Sequence, residues 1–154
     1  MGKAVAFALQ DVAAYDKRSF ALIHFSSSQE LRPAVFLPGK YTPDDLMDSA
    51  EHCFWGGTDV ETPMREAVRL MEQDGFSKAD VVFITDGECT MPEELVKQLR
   101  QKQADVSFTV TGVLMDQDSP GMEFSLKTFC NEVYRISEPG GNRIAEILLS
   151  RRRV

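Results

Sequence analysis

The apolar run Val81 to Ile84 ends abruptly at Thr85, Asp86 and Gly87. Without polar alternation it reads as a parallel strand covered on both faces. Asp86 then stands where that strand leaves the sheet, the edge at which open α/β sheets bind ligands. An Asp-Gly pair also shapes ordinary turns. A second cluster lies upstream, where Gly56 and Gly57 precede Thr58 and Asp59. Adjacent glycines let the backbone approach a ligand or another segment closely. Thr58 and Glu61 have the spacing of a capping box, but Pro63 would then fall inside the helix. Thr62 as N-cap, with Pro63 at the first helical position, fits better and leaves the Thr58 hydroxyl free. A free hydroxyl and a carboxylate suit a hard cation or a basic side chain.

These residues need a frame. Lys3 to about Asp16 reads as an alanine-rich helix with Val5, Leu9 and Val12 on one face, and Phe20 to Phe25 as a strand. Leu31 to Leu37, interrupted by Pro33, suits a short antiparallel edge strand. Thr42 before Pro43 caps a helix to about Cys53. Further helices are predicted from Pro63 to about Gln73, Pro92 to about Lys102, Met122 to Asn131 and Arg143 to Leu149, with strands at Val106 to Leu114 and Val133 to Ile136. This alternation predicts an α/β fold: a three-layer, Rossmann-like open sheet, mostly parallel with one antiparallel edge strand and helices on both faces. In such a sheet Ser26, Ser27 and Ser28, Asp86 and Glu88, and Asp116 and Asp118 would gather at one edge with Thr58 and Asp59. The result would be an acidic, hydroxylated rim, although loops are polar on general grounds.

Gly-Gly-Thr-Asp at 56–59 and Ile-Thr-Asp-Gly at 84–87, in that order with a helix and strand between them, resemble the von Willebrand factor A domain. Together with Ala21 to Ser26 and the terminal Leu148 to Arg153, they look most like its bacterial ViaA and CoxE-like branch. The resemblance runs from Lys3 to about Leu149. It implies a protein–protein interaction module rather than an enzyme, with Thr58 and Asp86 as ligands of Mg²⁺ or Mn²⁺ in a metal-ion-dependent adhesion site. Gly57, Asp59, Ser26 and Glu88 become candidate partner contacts, and a MoxR-type AAA+ ATPase the candidate partner.

The chain departs from that pattern at its start. It has no DxSxS motif, and Met1 to Leu9 resemble the helix that follows that motif in the family, so residues 1–154 read as one truncated domain lacking its first strand. Mg²⁺ demands near-octahedral oxygen coordination and gives up water reluctantly, so one hydroxyl and one carboxylate imply a weak, incomplete site. In the family's sheet order the absent strand lies between the strand at Phe20 to Phe25 and that at Val81 to Thr85. The two unpaired edges are expected to close on each other, or to take up a segment of a second chain and form a homodimer.

Composition narrows the remaining classes. With 154 residues, 43% hydrophobic and 27% charged, the chain suits one soluble domain with a sizeable core. A net charge of −7 and a pI near 4.8 argue against nucleic acid and anionic lipid. Arg151, Arg152 and Arg153 form the one basic run and suit a solvated helix end. Cys53, Cys89 and Cys130 contain no CxxC pair, so neither a disulfide framework nor a zinc site is expected, and a reducing cytoplasm fits. The apolar stretch Ala4 to Leu9 is too short for a signal core, and no stretch reaches transmembrane length. His24, inside an apolar strand, reads as a neutral core histidine, and His52 as a helix-surface residue. Hydrolase, P-loop and dinucleotide motifs are absent. The alternative is a metal-dependent phosphohydrolase or phosphotransferase using Asp86, for which the D-x-D-x-T motif is missing.

Overall fold

The computed structural model describes residues 2–27, 30–52, 59–86, 89–115 and 125–136. Helix α1 (Gly2–Tyr15) is followed by strands β1 (Phe20–Phe25) and β2 (Leu31–Phe36), then by helices α2 (Pro43–Glu51) and α3 (Glu61–Met71). Strand β3 (Val81–Thr85), helix α4 (Glu93–Val106), and strands β4 (Val110–Leu114) and β5 (Glu132–Arg135) complete the order. The mixed α/β class and the antiparallel edge strand agree with the sequence. The predicted helix over 143–149 lies outside the described residues, as does most of the one expected to begin at Met122, of which 125–127 are helical.

Among the described residues the strands lie in two sheets rather than the single one expected. β1 and β2 form an antiparallel ribbon in which Ile23 faces Pro33. β3, β4 and β5 form a parallel sheet in that order. Alternation along β3 sends Val82 and Ile84 to one face, against Val5 and Leu9 of α1, and Val81 and Phe83 to the other. On that second face Met64 and Met71 of α3 and Leu95 and Leu99 of α4 build the larger core, with Phe129 and Leu126. Phe83 stacks on Phe25 of β1 at 5.4 Å and meets Phe129 edge-on at 5.6 Å.

The ribbon runs alongside β3 in the same direction. Ser19, just before β1, lies against Gly75, ahead of β3: a Cβ at Gly75 would stand 3.1 Å from Ser19 Oγ. At the other end Phe25 reaches Phe83. Yet β1 and β3 do not pair, and a cavity of about 890 Å³ separates them. The expected closure of these edges therefore does not occur. Both α1 and α3 line the gap and brace the ribbon at a distance from β3, so closing it would require the two helices to move together.

Helix ends explain the other differences. α1 stops in a Schellman motif: Arg18 N–H donates to Ala13 O at 2.7 Å and Lys17 N–H to Ala14 O at 3.1 Å, with Lys17 left-handed at φ 53°. α4 runs four residues past its expected end and closes on Ser107, also left-handed at φ 54°, whose N–H donates to Gln103 O. Residues 107–109 therefore become a connection, and β4 starts at Val110 rather than Val106. No glycine or asparagine marks either cap, which is why the pattern alone misplaced the second.

Candidate functional site

Asp86 follows β3 and is exposed, at the mouth of the cavity between the two sheets. No hydrogen bond joins its carboxylate to another described residue. Ser26 follows β1 at the same edge and is buried, and its carbonyl accepts the Asp59 N–H at 2.7 Å. This bond ties the loop after β1 to the start of α3. Ser27 donates through Oγ to Glu30 Oε2 at 2.8 Å, closing the turn into β2. Gly57, Thr58 and Glu88 lie outside the described residues, as do Ser28, Asp116, Asp118 and the Arg151 to Arg153 run. Three of the candidates, Ser26, Asp59 and Asp86, thus stand at one edge.

Asp59 makes a local set of hydrogen bonds at the start of α3. Its Oδ1 accepts the N–H groups of Glu61 at 3.0 Å and Thr62 at 3.4 Å, and its Oδ2 accepts the Thr62 hydroxyl at 2.5 Å. The carboxylate therefore satisfies the first turn of α3, which begins at Glu61 rather than Pro63. Val60 takes the N-cap position, and Thr62, expected there, donates its hydroxyl to Asp59 instead. Pro63 sits third in the helix, where an N–H would still have no partner within it. Asp59→Ala should cost about 0.5–2 kcal/mol. Equilibrium urea unfolding checks this; an unchanged midpoint would release Asp59 for a partner.

Among the described residues, no three His, Cys, Asp or Glu side chains gather into a group able to hold a metal ion. Cys89 and Cys130 are buried free thiols. Burial pushes the Cys130 thiol up to about 12, which removes it from nucleophilic chemistry near neutral pH.

The sequence did not foretell a polar network between β1, β2, α1 and α2, of which Lys3 and His24 also line the cavity. His24 Nε2 lies 2.9 Å from Ser49 Oγ of α2, and its ring meets that of His52 edge-on at 5.4 Å. His52 Nδ1 is 2.8 Å from an Arg32 guanidinium nitrogen, and Arg32 also pairs with Asp48. Lys3 donates to the carbonyls of Ala50 and His52. His52 is half-buried here, not on the helix surface as expected, because it caps the end of α2 against β1. Burial, then His52, Lys3 and Arg32, hold His24 down to about 4, so it is neutral near pH 7. Residues this far apart in sequence meet only through the packing of α1, β1, β2 and α2.

No protein-family profile matches the chain. It is similar to two uncharacterized proteins of Methanocaldococcus jannaschii. MJ0077 is 29% identical over 101 residues, which cover 66% of this chain and 24% of the relative. MJ0811 is 24% identical over 136 residues, covering 88% of this chain and 30% of the relative. The match thus spans roughly a quarter to a third of each relative's length. Among the described residues no helix is long and apolar enough to cross a membrane.

Proposed function

We propose that the chain is a cytoplasmic protein–protein interaction module with a three-layer, von Willebrand A-like architecture, which presents the edge carrying Thr58 and Asp86 to its partner. The observation that carries this reading is the placement of Asp86: an exposed carboxylate beyond a parallel strand, beside the Ser26–Asp59 bond that brings the loop before α3 to the same edge. Helices on both faces of the parallel sheet support the architecture, and the cavity beside β3 lies where the resemblance leaves out a strand. Thr58 directly precedes Asp59 and is the second candidate donor to Mg²⁺ or Mn²⁺. With so few protein oxygens replacing water, binding no tighter than about millimolar is expected. The partner proposed from the resemblance is a MoxR-type AAA+ ATPase.

Capture of such an ATPase by the protein tests the reading. Asp86→Ala and Thr58→Ala should each weaken capture about tenfold or more, as expected for a charge or hydroxyl at the centre of a contact. Asp86 is exposed, so its variant should keep the parent melting temperature. Undiminished capture by both folded variants would remove the site from this edge, and micromolar Mg²⁺ binding that survives Asp86→Ala would place the metal elsewhere.

A further inference from the structure

Strand β3 is apolar from Val81 to Ile84 and ends on Thr85, which is 6% exposed. By strand alternation Thr85 shares the face of Val81 and Phe83, the face packed on the larger core. A buried hydroxyl is costly unless it is hydrogen-bonded, and valine would fill the same space without one. Thr85 Oγ1 accepts the thiol of Cys89 at 3.4 Å. This bond spans the turn that carries Asp86. On the strand side, Thr85 C=O accepts the Met115 N–H at 2.8 Å, which carries the pairing of β3 with the β4 side up to the residue before Asp86. On the other side Cys89 is 1% exposed and sits in the same core as Leu95. The turn is therefore held at both ends. Burial pushes the Cys89 thiol up, its bond to Thr85 opposes this, and the Asp86 carboxylate adds to the rise. The sulfur thus keeps its proton near neutral pH and can donate it.

We infer that, given Asp86 as the partner contact proposed above, Thr85 is its positioning residue: the Thr85 hydroxyl and the Cys89 thiol together close the turn and fix how the Asp86 carboxylate is presented. Asp86 is exposed, and no hydrogen bond joins its carboxylate to another described residue, so its direction depends on the backbone that carries it. A loosened turn would let that carboxylate swing. Groups that stand behind a binding residue commonly matter tenfold or more to the affinity of the site, because the productive geometry tolerates little play. A threonine on a buried strand also follows from strand preference alone, through its branched Cβ. Only the hydroxyl separates the two roles.

The test measures capture of a purified MoxR-type AAA+ ATPase by the parent, Thr85→Val, Thr85→Ser, Cys89→Ala and Asp86→Ala, with the melting temperature of each. Thr85→Val keeps the shape and removes the hydroxyl, so capture should weaken about tenfold. Its melting temperature should move little, because the thiol left behind is a weak donor. Thr85→Ser keeps the hydroxyl and loses a methyl group; it should capture as the parent does although it melts lower. Cys89→Ala removes the other half of the bond and should weaken capture as Thr85→Val does, with no further loss in the double variant. Parent-like capture by Thr85→Val beside weakened capture by Asp86→Ala would overturn the inference and leave the Asp86 site standing. Equal weakening by Thr85→Val and Thr85→Ser would assign the effect to packing and overturn it as well. Additive losses in the double variant would do the same, since the two groups would then act apart. Parent-like capture by Asp86→Ala would overturn the site and the inference together.

Discussion

Phe83→Ala should lower stability by about 3–5 kcal/mol, the usual cost of removing a buried phenylalanine. Phe83 is 4% exposed and touches Phe25 on one side and Phe129 on the other. The ribbon has no backbone pairing with the parallel sheet, so this stack is a principal tie between them. A loss of that size takes about a fifth or more of the roughly 5–15 kcal/mol that holds a domain together. It should lower the melting temperature by about 10 °C. Hydrogen exchange should accelerate first in residues 20–25 and 31–36, while β4 and β5 keep their protection. Uniform acceleration across all five strands would mean that the ribbon and the parallel sheet are joined by something other than this stack.

Acidification from pH 7 to pH 5 should destabilise the protein, and His24 should account for on the order of 1 kcal/mol of the loss. The sign follows from the shift. His24 is held down to about 4 in the fold, against 6.5 for a histidine in the unfolded chain, so between these values the unfolded state takes up a proton that the fold refuses. Stability is therefore greatest above about pH 6.5 and falls as the pH drops towards 4. The figure is kept below the full linkage value because the ring is only half-buried and solvent screens part of the effect. The groups facing the ring are Lys3 of α1, Arg32 of β2, Ser49 of α2 and His52 beyond it; the two cations oppose its protonation. The hydrogen-bonded carboxylates titrate lower: Asp45, held down by its bonds to Thr42, and Glu66, held down by Arg69, lose their contribution only as the pH falls through and below the ordinary carboxylate range. Urea midpoints at the two pH values, for the parent and His24→Gln, isolate the effect. An equal loss in both proteins would assign the acid sensitivity to other groups.

Much of the fold was legible along the chain because local chemistry dictates it. The Val81 to Thr85 strand is apolar without alternation because helices cover both its faces, and Phe20–Phe25 and β2 with its Pro33 follow from period and composition. Thr42 before Pro43 marks α2, where Asp45 completes a capping box. The ends of α1 and α4 were less legible, since Lys17 and Ser107 take a left-handed conformation that their side chains do not advertise. At the site, sequence placed Asp86 beyond its strand but could not say that Asp59 turns its carboxylate back onto α3, because three oxygen-bearing residues in one loop compete for a single set of helix N–H groups.

Sequence by itself determined the α/β class, the antiparallel edge and the position of the carboxylate after β3, all consequences of short-range periodicity. Tertiary structure alone decided that the strands form two sheets, that a cavity stays open between β1 and β3, and that Lys3, His24, Arg32 and His52 meet in one network. These depend on how α1 and α3 pack between distant strands. Packing of that kind is set by the summed shape of many side chains, and no local pattern encodes it.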